Sequence, residues 1–350
     1  MTAQQAVMSR DETLTAKRGS DFAGLSRQVK EAGLLERTPY YYALKIAVTG
    51  LLYAAGWLIF VRLGESWLNP FITAAFLAGM STQLAFVGHD VMHKQVFSKD
   101  AVSRRFSLGL GNLLIGMSHL WWKDKHTRHH ANPNVNGLDP DIPDEGPLLV
   151  THRRARSSIG RALAPYQAYY FLPLLLLEGL NLHVVSVRAM FGGTVETKRK
   201  RQLELGLLFL HGAFYLTAVF TVLTPAQGLV FVAVNQGLFG LYMGLSFAPN
   251  HKGMQIFEKG EEPDFLRKQV LTSRNVQGGR LNWLVSLLLG GLNYQIEHHL
   301  FPSMPRIHLH RVRPIVMKYC KDMNVPYTEA SARRSLRLIL EHLHKVGATA

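Results

Sequence analysis

Cysteine is nearly absent: Cys320 stands alone among 350 residues. One thiol excludes an intramolecular disulfide and any thiolate cluster, so a metal bound by this chain must be held by nitrogen or oxygen. Iron–sulfur chemistry within the chain is excluded with it. The first twenty residues hold Asp11, Glu12, Lys17 and Arg18 and no apolar core, so no cleaved signal peptide is expected. There is no glycine-rich phosphate loop, internal repeat or low-complexity tract. Acidic residues are scarce beside basic ones, 24 Asp and Glu against 39 Lys and Arg, for a formal charge of +15. In a soluble protein that excess would suggest nucleic acid. Here the apolar residues are gathered into long runs, so the basic residues read as cytoplasmic, lipid-facing loops and no nucleic-acid partner is expected.

Four runs, 42–61, 70–87, 205–223 and 227–248, approach the ~20 residues a helix needs to cross the ~30 Å hydrocarbon core. The linkers 62–69 and 224–226 are short and hold one basic residue in all, whereas 94–105, 153–161 and 198–201 are rich in Lys and Arg. The runs therefore pair into two hairpins whose tips face outward, with everything else, both termini included, on the cytoplasmic side. A fifth apolar stretch, 162–185, is interrupted by Pro165, Pro173, Glu178, Gly179, Asn181 and His183 and flanked by basic clusters. If it crossed, the histidine pairs near residues 90 and 298 would lie on opposite faces, so an interfacial or re-entrant element is expected. The run 106–122, loosened by Gly109, Gly111 and Gly116 and ending in Trp121 and Trp122, is expected at the membrane surface. Beyond Pro302 the chain turns basic and helix-prone, with Leu336, Ile339, Leu340 and Leu343 at i, i+3, i+4, i+7 spacing.

The expected fold class is thus an all-α integral membrane protein: four transmembrane helices in two hairpins, interfacial helices, and a cytosolic helical cap carrying a dinuclear metal site. Its parts are a cytosolic segment 1–40, a membrane domain 41–310 and a cytosolic helical tail 311–350.

Three histidine clusters carry the chemistry. His89 and His93 are spaced i, i+4 just after the second run; His126, His129 and His130 share a helical face, as do Gln295, His298 and His299. His251 follows the fourth run. A lone pair of this kind is an ordinary polar helix end, but eight of 16 histidines fall at four places brought to one membrane face. Eight imidazoles exceed what one tetrahedral zinc can use and suit two metals; open positions at iron or copper imply oxygen chemistry.

With Asn136-Gly137-Leu138-Asp139-Pro140-Asp141-Ile142 and Asn293-Tyr294-Gln295-Ile296-Glu297-His298-His299-Leu300-Phe301-Pro302, these clusters resemble those of the membrane-bound fatty acid desaturases, over about residues 34–309. A third cluster opening on Gln resembles the front-end subgroup. The resemblance implies two iron ions with O2 as co-substrate, one iron held by His89, His130, His251 and His299 and the other by His93, His126, His129 and His298. Gln295 takes the place of a histidine found in many relatives, as an amide-oxygen ligand or a hydrogen-bond partner of one. Asn250 is a water-mediated candidate, and Asp90, Asp139, Asp141 and Glu297 can orient imidazoles through their other ring nitrogen. The substrate implied is an acyl-CoA or acyl-lipid. Front-end relatives often carry a fused cytochrome b5 domain with a His-Pro-Gly-Gly motif; that motif is missing from this sequence, as is a Rossmann fingerprint. Electrons are therefore expected from an external ferredoxin and its reductase or a cytochrome b5-like carrier, steered by the basic surface.

Three other readings remain. His89-Asp90-Val91-Met92-His93 approximates the His-Glu-x-x-His of zinc proteases, though Asp90 is one methylene short and the other clusters would stand idle. A metal transporter would place its histidines within the spans rather than at their ends. A diiron hydroxylase or acyl-chain oxygenase would use the same oxidant, which can rebound oxygen instead of removing a second hydrogen.

Overall fold

The computed structural model describes residues 20–142, 147–151, 157–192 and 197–349. The polar start of the chain and the basic residues Arg153–Arg156 lie outside them. A short helix α1 (Asp21–Glu31) leads to α2 (Pro39–Leu63), whose Pro39 occupies the first turn, where the missing N–H costs nothing. Gly64, at φ +52°, ends it, and α3 (Asn69–Met92) returns antiparallel against it. A second antiparallel pair, α9 (Lys198–Val222) and α10 (Pro225–His251), is joined by two residues, and a Thr224/Gln227 capping box starts α10. These four are long and apolar enough to cross a membrane, and α3 and α10 pack on each other at the centre. Both central helices run past the apolar limits expected from sequence: α3 continues through His89 and α10 through His251, so these two histidines stand on the last turn of a membrane helix.

Between the hairpins come α4 (Asp100–Ser107), a π-helical segment (Leu108–Ile115), α5 (His119–Ala131), α6 (Ser158–Leu163), α7 (Gln167–Leu175) and α8 (Glu178–Ala189). The stretch 162–185 is broken: the helices on either side of Leu176 and Leu177 meet at 83°, with Pro173 in the turn before the bend. Much of the run 106–122 packs against the long helices, with Leu114 left exposed. Leu110, Ile115 and Met117 are buried in one cluster with Leu84, Val87 and Met243, because a segment apolar on every side gains by burial all round. Gly116 closes the π segment at φ +81°; a Cβ there would stand 2.5 Å from the His211 ring and 2.8 Å from that of His183.

The remainder forms the cap: α11 (Phe265–Leu271), α12 (Asn282–Leu288), α13 (Gln295–Leu300), α14 (Leu309–Asp322) and α15 (Ala332–Ala348). One face of α15 buries Ile339 and Leu343 against Phe171 of α7. The one sheet among the described residues, beside an isolated bridge, is a two-stranded parallel pair. It joins β1 (Asn275–Gln277) to β2 (Glu329–Ser331), tying the chain before α13 to the start of α15.

Candidate metal centre

The last turns of α3 and α10 and the helices α5 and α13 converge at one end of the bundle, and all eight expected histidines meet there. The ligand-capable nitrogens of His89, His93, His126, His130 and His298 lie within 4.8 Å of one another, and those of His129, His251 and His299 do likewise. In the first group the Nε2 atoms of His93 and His126 are 2.9 Å apart, those of His126 and His130 3.1 Å, and those of His130 and His298 3.2 Å. Nitrogens bound at ~2.0–2.1 Å to one ion at near right angles sit roughly 3 Å apart. His89 Nδ1 and Nε2, His130 Nδ1 and His299 Nε2 are buried with no hydrogen-bond partner in the chain. Imidazole nitrogens left so, at spacings that a metal imposes and a protein core does not, fit a bound ion.

This grouping differs from the four-and-four division implied by resemblance. On α5, His126 and His130 are one turn apart, with ring centroids 4.5 Å from each other, while His129 points aside toward His251 and His299, at 4.7 and 5.1 Å. The two groups touch where His130 stacks on His299 at 4.3 Å.

Burial, reinforced by the neighbouring imidazoles, holds His93, His126, His130, His298 and His299 well below the usual histidine pKa. They stay neutral, the form that binds metal. At His129 the shift runs the other way. Burial would lower its pKa too, but the Asp139 carboxylate, with Asp141 behind it, outweighs burial and raises it. Asp139 lies 3.0 and 3.1 Å from His129 Nδ1 and accepts the backbone N–H groups of Asn134 and Asp141 at 2.7 and 2.9 Å. A carboxylate pinned this way fixes the Nδ1–H tautomer and turns the Nε2 lone pair toward His251 and His299. Asp141 is half exposed, 3.4 Å from His129 Nδ1, and paired with Lys125.

Other expected partners are placed differently. Asp90 is 3.6 Å from His89 Nδ1, too far for a hydrogen bond, and its other oxygen lies 2.6 Å from Arg306 Nε. Glu297 turns away from the histidines to accept from Asn275 and Tyr327 at 2.8 and 2.5 Å; burial pushes its pKa up to about 7. Asn250 Nδ2 shares its two hydrogens among three acceptors, the carbonyls of Ser246 and Leu292 at 3.1 Å each and Gln295 Oε1 at 3.2 Å. Gln295 therefore presents nitrogen, not oxygen, to His251 Nε2 at 2.9 Å. Arg306 and Gln269, both against the site, carried no signal in the sequence: neither belongs to a histidine cluster.

An apolar cavity ends at the first group, lined by Phe86, Gly88, His89, Ile115, Trp122 and Met243. Phe86 and Met243 line it, whereas their helix neighbours Leu84 and Phe239 are packed in the core and Tyr242 donates to Leu288 O.

A family model described as fatty acid desaturase matches residues 65–331, a span that holds all eight histidines. An acyl-lipid (9-3)-desaturase of Physcomitrium patens is 28% identical over 340 residues, 94% of this chain and 63% of its own length. A Delta(8)-fatty-acid desaturase of Euglena gracilis is 31% identical over 92% of this chain and 78% of its own, and a Delta(6)-fatty-acid desaturase of Caenorhabditis elegans 30% over 87% and 70%. The chain thus spans less than two thirds of the Physcomitrium protein. With a histidine-lined site at the end of four membrane-length helices and a match across most of its length, this chain belongs to the fatty acid desaturase family.

Proposed function

We propose that this protein is an O2-dependent fatty-acyl desaturase working at a pair of iron ions held by His89, His93, His126, His129, His130, His251, His298 and His299. One observation carries the reading: a mostly apolar cavity reaches the cluster of buried imidazoles at His89. Methylene hydrogens are not acidic, so a positioned base cannot remove them; iron with O2 supplies an oxidant that can. The chain's own residues do the rest. Phe86, Ile115 and Met243 hold the acyl chain by apolar contact, exclude water, and set which methylenes lie beside His89. Asp139 holds the Nδ1 proton of His129. The two electrons come from an external ferredoxin with its reductase or a cytochrome b5-like carrier. Resemblance to the front-end subgroup favours insertion between an existing double bond and the carboxyl end of an acyl-CoA or acyl-lipid.

Expression in a host of known lipid composition, followed by mass spectrometry that locates unsaturation, is expected to show one new double bond. A new hydroxyl in its place would reassign the protein as a hydroxylase.

The site and both ends of the chain are assigned to the cytoplasmic face, with 41–310 in the membrane and 311–350 as a cytosolic tail. Two features support this sidedness: the basic start of α9 at Lys198–Arg201, and the bend at 83° in the element between the hairpins. A cysteine placed at Arg201, in a chain whose own thiol is buried, is expected to react with impermeant reagent only in opened vesicles. Labelling of intact cells from outside would invert the topology.

A further inference from the structure

Helix α11 (Phe265–Leu271) holds none of the clustered histidines, yet two of them end on it or just beyond it. His251 Nδ1 lies 3.0 Å from the carbonyl of Thr272, and His299 Nδ1 lies 2.9 Å from Oε1 of Gln269. Gln269 is fully buried. Its orientation follows from a second contact: Nε2 donates to the carbonyl of His130 at 3.0 Å. That carbonyl belongs to the final turn of α5 (His119–Ala131), where helix carbonyls have no acceptor-to-donor bond within the helix. A carbonyl oxygen only accepts, so the amide nitrogen must face it, and the amide oxygen must then face His299. An oxygen acceptor at Nδ1 holds the ring proton there and leaves the lone pair on Nε2, the atom that is buried with no partner in the chain.

We propose that Gln269 is a positioning residue for the metal position formed by His129, His251 and His299. It selects the metal-binding tautomer of His299 and ties that ring to the backbone of the second histidine cluster. The three rings are then backed by three different acceptors: the Asp139 carboxylate, the Thr272 carbonyl and the Gln269 amide. Only the first adds negative charge. An amide fixes the proton of His299 without the added basicity that Asp139 confers on His129. Arg267, beside it, pairs with Asp21 of α1 (Asp21–Glu31) at 2.8 Å and anchors α11 from its other side. The inference rests on the metal-binding reading of the histidines.

Its test uses the metal alone. The full chain in detergent is stripped and titrated with Co(II), followed by visible absorption and by metal content after desalting. Wild type is expected to take up two equivalents. Gln269→Met, which removes both the acceptor and the donor, is expected to weaken one equivalent by ~10–100-fold and leave the other, which then reports that the fold is intact. Gln269→Glu keeps an acceptor at Nδ1 and is expected to restore the weakened equivalent. The proposal is overturned by a Met variant that binds both equivalents as wild type does, by one that loses both, or by a Glu variant as weak as Met. A wild-type chain that takes up no metal sinks the ligand reading instead, and this inference with it.

Discussion

Replacing His129 by alanine is expected to abolish product formation and to lower the iron content of the purified protein, while the chain still inserts in the membrane. Three imidazoles form the smaller group, and His129 is the one whose lone pair is aimed by a carboxylate. Losing an outer partner of a metal ligand costs ~10–100-fold in affinity or activity, and losing the ligand itself must exceed that. The fold should survive, because Asp139 keeps the backbone N–H groups of Asn134 and Asp141 as donors when the imidazole is gone. Iron per chain by atomic emission, membrane partition and turnover are measured on the same preparation. Full turnover with normal iron would remove His129 from the ligand set.

The largest effect on stability is expected at Arg306. Its guanidinium and the Asp90 carboxylate are both buried; Nε and Oδ2 lie 2.6 Å apart in a contact not aligned as a hydrogen bond, and the guanidinium also donates to Phe86 O at 2.7 Å. Arg306 N–H donates to Tyr42 OH, which donates to Gln95, which in turn donates to Pro302 O. The network thus clamps α2, the end of α3 and the chain after the third cluster. Arg306→Met leaves Asp90 buried without its cation and is expected to cost ~3–5 kcal/mol. Asp90→Asn in the same chain removes the stranded charge and should recover much of that loss. Thermal unfolding in detergent across the four-member cycle is expected to show a coupling of at least ~1 kcal/mol. Strictly additive losses would mean that the two charges do not stabilise each other.

How much of this was legible in advance follows from the range over which each signal acts. Span length and i, i+4 spacing are local, and the four long helices and the shared faces of His89 with His93 and of His126 with His130 follow from them. The expected ends of α3 and α10 fell short because polar residues close an apolar window, whereas the helix itself continues until the histidines are in place. The packing of the run 106–122 against α3 and α9 was not legible, because its neighbours lie far along the chain. Glu297 looked like a partner for the adjacent imidazoles, but on α13 it points to β1 and Tyr327.

The sequence by itself determined the family, the membrane-length helices and the identity of the eight clustered histidines, since each depends on residue type and short-range period. Tertiary structure alone decided which histidines stand together, because the partition depends on how α5 is rotated against α10 and α13 rather than on spacing along any one of them. It alone brought Gln269 to His299 across 30 residues and Arg306 to Asp90 across more than 200, and it turned the oxygen of Gln295 toward Asn250. Contacts of that separation leave no period in a sequence; they exist only once the helices are packed.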